Sequence, residues 1–116
     1  MENCIFCKIV RGEIPSTKIY EDDNVLVFKD LHPVSPVHVL IIPKVHFDNL
    51  HMMSTSCEGL EALNAIFQAL PEIVRLVGLE EKGFRLINNC GVSAGQSVMH
   101  THFHLIGGRS LGTKIV

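Results

Sequence analysis

The sequence predicts an α+β fold, a mainly antiparallel sheet of about five strands with one long helix and a short N-terminal helix, in a single domain spanning 1–116. Three observations carry this reading. Short β-rich runs are separated by polar, proline or glycine segments. One stretch only, Leu60, Leu63, Ile66, Phe67, Leu70, Ile73, Val74 and Val77, repeats apolar residues at helical spacing over many turns. That helix is inserted among strands whose other connections are short and hairpin-like, an order that favours antiparallel pairing.

In chain order, Ile5, Phe6, Ile9 and Val10 give a short helix over Cys4 to Val10, closed by Gly12. Lys18 to Tyr20 and Val25 to Phe28 flank the polar cluster Glu21-Asp22-Asp23-Asn24 and read as a hairpin. Val37 to Ile42 lies between Pro36 and Pro43, and its nearly unbroken apolar run fits a central strand covered on both faces. Thr55 with Glu58 resembles a capping box for the long helix. Pro71 removes a backbone donor inside that helix, so a kink is expected near Phe67 to Pro71, and Gly78 stops it. Phe84 to Asn89 reads as a strand, Cys90 to Gln96 as a loop, and Ser97 to Ile106 as the last strand, ended by Gly107-Gly108.

Composition narrows the function. With 116 residues and 47% hydrophobic content, the chain can bury one core without disulfides. Its longest apolar stretches fall far short of the roughly 20 residues of a bilayer-spanning helix, so no membrane partner is expected. The opening Met1-Glu2-Asn3-Cys4 lacks the basic and apolar regions of a secretory signal, and a cytoplasmic location is expected. Net charge is -2 with Lys and Arg scattered singly, which argues against long nucleic acid as a ligand. Of four cysteines only Cys4 and Cys7 are close together, leaving metal binding or redox chemistry for that pair. Cys57 and Cys90 read as plain buried or half-buried thiols.

The strongest motif is His100-Thr101-His102-Phe103-His104. A strand has a side-chain period of two, so three imidazoles would line one face. The Cα atoms of His100 and His104 would then lie about 13 Å apart, too far for both rings to reach one ion without a bulge. At least one ring is therefore metal-free, and a neutral imidazole can act as a nucleophile or as an acid and base near pH 7. Upstream, Gly91-Val92-Ser93-Ala94-Gly95-Gln96-Ser97 reads as a phosphate cradle, because glycines let backbone N–H groups approach an anion. The G-x-S-x-G string within it lacks the following helix that a serine-hydrolase elbow requires.

The run from Gly95 to Arg109, Gly-Gln-Ser-Val-Met-His-Thr-His-Phe-His-Leu-Ile-Gly-Gly-Arg, resembles the signature of the histidine-triad (HIT) superfamily, in its Hint-like branch of purine nucleoside phosphoramidases. Ile5 to Ile9, Glu13 to Pro15, Tyr20 to Asp23, Phe28 to Asp30 and His38 to Lys44 resemble that branch in the same order, so the likeness spans essentially the whole chain. It implies a HIT-like fold, a homodimer, and hydrolysis of purine nucleoside 5′-phosphoramidates or related adenylates, with purine nucleoside monophosphate derivatives as ligands. By that resemblance His102 is the nucleophile that becomes nucleotidylated, and His104 contacts the phosphate. Asp30 hydrogen-bonds the ribose hydroxyls and Leu31 follows along the sugar. Asn89, Gly95, Gln96 and Ser97 lie on the phosphate side, while Ile5, Phe6, Ile9, Ile14, Phe28 and Leu40 form the apolar base pocket. His38 stands beside the triad and holds its rings in register.

Some members of the family carry a Cys2His2 zinc site, and the resemblance implies that His46 and His100 complete it with Cys4 and Cys7. The ion would be structural, leaving His102 and His104 for the phosphate. Redox use of the pair fits less well, because a thioredoxin-type pair follows a strand and opens a longer helix. His32 and His51 match no role and are expected to face solvent. Met99 stands where many relatives have an aromatic, and the sequence ends at Val116, so leaving-group preference is open. The rival readings are a dinucleoside polyphosphate hydrolase, a nucleotidyl transferase, and a nucleotide- or zinc-binding interaction module with incidental turnover. His104 argues against the transferase, whose branch has glutamine there.

Overall fold

The computed structural model describes residues 2–116. Helix α1 spans Ile5–Val10, and its N-cap is Cys4, whose Sγ accepts from the Cys7 N–H at 3.3 Å. Strands β1 (Lys18–Glu21) and β2 (Val25–Lys29) form the expected hairpin. Asp22 folds its turn, Oδ1 accepting from the amides of Asn24 and Val25 at 2.7 and 2.8 Å. Strand β3 (Val37–Pro43) is followed by helices α2 (Leu50–Met53) and α3 (Cys57–Leu76), then β4 (Arg85–Ile87) and β5 (Phe103–Gly107). The five strands form one sheet in the order β1-β2-β3-β5-β4, every neighbouring pair antiparallel.

Pairing of β3 with β5 sets the two faces of the sheet. Leu40 lies opposite His104 and His38 opposite Ile106, so His38, Leu40, Ile42, His104 and Ile106 share one face. With Leu26 and Phe28 of β2, Leu40 and Ile42 pack on Phe6 and Ile9 of α1. On the other face Val39, Ile41, Phe103 and Leu105 pack on Ile66, Ala69, Ile73 and Val74 of α3. Strand β3 is thus covered on both sides, as its apolar sequence requires.

Four local features differ from the sequence reading. The last strand begins at Phe103, not Ser97, because the preceding backbone is bonded elsewhere. The Thr101 N–H donates to the Phe47 carbonyl at 2.7 Å, the His100 N–H turns back to the Val98 carbonyl at 2.9 Å, and Asn88 Nδ2 donates to the His102 carbonyl at 2.9 Å. Strand β4 ends at Ile87 because Asn88 and Asn89 give side-chain bonds in place of a ladder. The cap of α3 is Ser56, whose Oγ accepts from the Gly59 N–H at 3.0 Å, whereas Thr55 donates to the Met52 carbonyl and closes α2, a helix too short to announce itself by periodicity. Cys57 is exposed on the first turn of α3, not buried.

Helix α3 runs through Pro71 without interruption. Its corner with α2 depends on Gly59, where a Cβ would fall 1.7 Å from the Met53 carbonyl oxygen. No helix among the described residues is long and apolar enough to cross a membrane.

Candidate functional site

The site lies on the α1 face of the sheet, at the start of β5. His102 is buried, and its Nδ1 lies 2.7 Å from the backbone carbonyl of His100. A carbonyl can only accept, so Nδ1 carries the proton and the Nε2 lone pair is free. Phe6 abuts both rings edge-on, its centroid 5.1 Å from that of His102 and 5.8 Å from that of His100. The His102 and His104 rings stand 5.2 Å apart.

His104 is fixed by a chain of donors. The Val34 N–H donates to His38 Nδ1 at 3.1 Å, which places the His38 proton on Nε2. That Nε2–H donates to His104 Nδ1 at 2.9 Å, and Asp30 Oδ2 lies 3.4 Å from His38 Nε2. The His104 proton is therefore left on Nε2. Burial holds the His104 pKa below its usual 6.5, with the His102 and His38 rings adding to the effect and Asp30 opposing it, so the ring is neutral near pH 7.

A cavity of about 330 Å³ opens over His102 and His104. Its apolar walls are Ile5, Phe6, Ile9, Ile14, Phe28 and Leu40, and its polar side carries Asp30, Leu31 and Ser97. The sequence singled out every one of these. It missed Pro15, Ser16, Thr17, Lys29, His32 and Val98, which also line the cavity. His32 is exposed as expected but stands at the rim, because Asp30 Oδ1 accepts from the His32 N–H at 2.7 Å and turns the chain back. An Asp two residues ahead of His-Pro is the turn signal that could have revealed it.

Several amides of the glycine loop are bonded within the loop itself. Val92–Ala94 form a single 3-10 turn between Gly91 and Gly95, both at φ 92°, where a side chain would be strained. The Gly91 amide donates to Gln96 Oε1, that of Gly95 to the Val92 carbonyl, and that of Gln96 to the Gly91 carbonyl. Gln96 is buried, and its Nε2 donates to the carbonyls of Asp48 and Val98, so it braces the loop instead of lining the cavity. Asn89 likewise donates to the Ala94 carbonyl, away from the cavity. Of this segment, Ser97 and Val98 are the residues that reach the cavity wall.

A second constellation lies under α1. Ligand atoms of Cys4, Cys7, His46 and His100 all fall within 4.8 Å of one another. Cys4 Sγ is 3.3 Å from His100 Nδ1, and Cys7 Sγ is 3.4 Å from His46 Nδ1 and 3.5 Å from His100 Nδ1. Zinc bonds of about 2.3 Å to sulfur and 2.0 Å to nitrogen make tetrahedron edges of about 3.5 Å, which these separations match. Tautomers agree as well. His100 Nε2–H donates to the Pro43 carbonyl at 2.8 Å and His46 Nε2–H to Asp48 Oδ1 at 2.7 Å, so both Nδ1 lone pairs face the thiols. Burial pushes His100 down to about 4, keeping that lone pair available, and burial followed by the neighbouring Cys4 raises Cys7. Asp30, His38 and His104 also converge, but they fail the same test: the Val34 N–H occupies His38 Nδ1, so the inward Nε2 bears a proton.

Residues 11–111 match the HIT domain. The chain belongs to the HIT family. As a HIT protein it overlays a HIT family hydrolase from Clostridium thermocellum with a TM-score of 0.93 and 48% identity, covering 100% of this chain and 99% of that one. It is 42% identical over 114 residues to the purine nucleoside phosphoramidase of Escherichia coli K12, spanning 98% of this chain and 94% of that protein. It is also 43% identical over 107 residues to a 14 kDa zinc-binding protein of Brassica juncea, spanning 92% and 94% of the two chains.

Proposed function

We propose that this HIT protein hydrolyses purine nucleoside 5′-phosphoramidates or related adenylates through a nucleotidyl-histidine on His102. The observation that carries the reading is the His102 tautomer: with Nδ1–H held by the His100 carbonyl, the Nε2 lone pair belongs to a ring on the cavity wall. His102 Nε2 forms a bond to phosphorus as the bond from phosphorus to the amine nitrogen breaks. The electron pair departs with the amine, which takes up a proton from solvent. Water then attacks phosphorus, the bond to Nε2 breaks, its electron pair returns to the ring, and a proton returns to solvent.

His104 Nε2–H and the Ser97 side donate to the phosphate oxygens as charge develops on them. Asp30 accepts from the ribose hydroxyls, Leu31 lies along the sugar, and the six apolar wall residues enclose the purine. His38 positions His104. Because its donor chain begins at a backbone amide that cannot give up its proton, the pair acts as a fixed hydrogen-bond donor and not as a proton shuttle. Asn89, Gly95 and Gln96 set the shape of the loop that presents Ser97.

Cys4, Cys7, His46 and His100 fit a zinc ion, which would tie α1 to the segment before β5 with no coordination position left open. The homodimer is proposed to form over β4, one of the two edge strands of the sheet, and over the exposed Leu60 and Phe67 of α3. The named E. coli and Brassica relatives support the phosphoramidate and zinc readings respectively. Steady-state kinetics on adenosine 5′-phosphoramidate and on diadenosine polyphosphates, side by side, tests the proposal. A higher kcat/KM for the phosphoramidate is expected. Preference for the polyphosphates, or tight AMP binding with no turnover of either, overturns it.

A further inference from the structure

Ser97 lines a second cavity as well. This second cavity, of about 450 Å³, shares Ile5, Ser97 and Val98 with the first, so the two lie on either side of the wall that is proposed to hold the phosphate. Neither His102 nor His104 lines it. In an in-line displacement the leaving group departs on the side of phosphorus opposite the nucleophile. His102 lines only the first cavity and Ser97 lines both, so the second cavity is the neighbouring space for a substituent leaving from a phosphate at Ser97.

The chemistry of the second cavity is uneven. Near Ser97 its walls are Ile5, Val98 and the half-exposed Met99. Among the described residues its carboxylates are Glu2 and Asp48, no Lys or Arg lines it, and Asn3 with Cys4 and His46 of the zinc constellation completes the wall. Asp48 Oδ1 accepts from His46 Nε2–H, so this carboxylate is held in place. We infer that the second cavity is the leaving-group subsite, and that it favours an amine with an apolar stem and a further positive charge at its far end. The inference rests on the phosphoramidate reading and supplies the leaving-group class which that reading leaves open. Selection acts on the first step, where the bond from phosphorus to the amine nitrogen breaks and the amine departs through this cavity. The second step, hydrolysis of the nucleotidyl-histidine, is common to all leaving groups.

Three adenosine 5′-phosphoramidates test it, bearing N-(4-aminobutyl), N-pentyl or N-(3-carboxypropyl) groups. At low salt kcat/KM should fall in that order, with about a tenfold or larger ratio between the first and the last that narrows as salt screens the carboxylates. Glu2→Lys should compress the ratio by about threefold or more, and Asp48→Asn in the same direction. The ratio is the readout, so a change in overall rate does not confuse it. Affinities of the same three compounds for the His102→Asn variant, measured by calorimetry, give the preference without turnover and should follow the same order. Equal affinities, or a ratio unmoved by Glu2→Lys, overturn the subsite. Failure of unsubstituted adenosine phosphoramidate to turn over strikes at the phosphoramidate reading instead, and the binding series still decides the cavity.

Discussion

The Nδ1–H of His102 donates to the backbone carbonyl of His100 at 2.7 Å, so one histidine sets the tautomer of the other through the main chain while its own ring points to Cys4 and Cys7. His102→Ala or His102→Asn should lower kcat by at least about 10⁴-fold while AMP affinity changes less than about threefold, because a nucleophile contributes to chemistry more than to ground-state binding. Rapid acid quench of the wild type followed by intact-mass analysis should reveal a nucleotidyl adduct on His102. Its persistent absence under turnover rejects the covalent route.

Asp30→Ala should weaken ribonucleotide binding by about 1.5–3 kcal/mol, the worth of a charge-assisted hydrogen bond. A 2′,3′-dideoxy analogue should bind wild type and variant alike. Because Asp30 Oδ2 also lies 3.4 Å from His38 Nε2, calorimetry with both ligands separates the two contacts. Equal losses would place Asp30 with His38 and not with the sugar.

Much of the site was legible in the sequence because its parts are local. The apolar wall of Ile5, Phe6, Ile9, Ile14, Phe28 and Leu40 came from the family resemblance of the short segments that hold these residues, and not from their periodicity. The internal bonding of the glycine loop was not legible, because Gly91, Gly95 and Gln96 bond to one another in an arrangement that residue types alone do not specify. Ser97 to Thr101 looked like strand since Val98, Met99 and Thr101 favour one, yet Phe47, distant in sequence, takes the Thr101 amide. Ser16, Thr17 and Lys29 went unnoticed because polar residues beside a hairpin carry no pattern that marks a cavity wall.

Elemental analysis of protein purified without chelator should find close to one zinc per chain, and removal should lower thermal stability before it alters the chemical step. Cys4→Ser and Cys7→Ser should reproduce that loss and make the first turn of α1 more susceptible to proteolysis. Less than about 0.2 equivalents of zinc, with both thiols freely titratable, rejects the site.

In the chelated protein, acid should destabilise the fold well above the carboxylate range. Burial holds His100 at about 4 and His104 below 6.5. A histidine depressed in the folded state takes its proton first in the unfolded chain, so stability declines as pH falls from 6.5 towards the folded value. For His100 this amounts to about 2 kcal/mol between pH 7 and pH 5, and His104 adds in the same direction. Urea midpoints at pH 7, 6 and 5 check it, and a midpoint that stays constant would refute it.

Phe67 is 49% exposed, with its ring 6.0 Å from that of Phe103. Phe67→Glu should shift sedimentation from dimer towards monomer at micromolar concentration, since a charge at the centre of an apolar contact has no partner there. A wild-type chain that sediments as a monomer at those concentrations removes the dimer.

Strand β3 serves both constellations at once: His38, near one end, feeds His104, while Pro43, at the other, gives its carbonyl to His100. Five residue steps of about 3.3 Å make it a ruler about 17 Å long, and a strand bonded on both edges neither stretches nor bends easily. Inserting or deleting one residue between them would turn His38 to the opposite face and release one ring or the other, whichever end stayed in register. In this chain the two centres are therefore tied to one register, and the four residues from Val39 to Ile42 carry a constraint on length as strict as any constraint on side-chain identity.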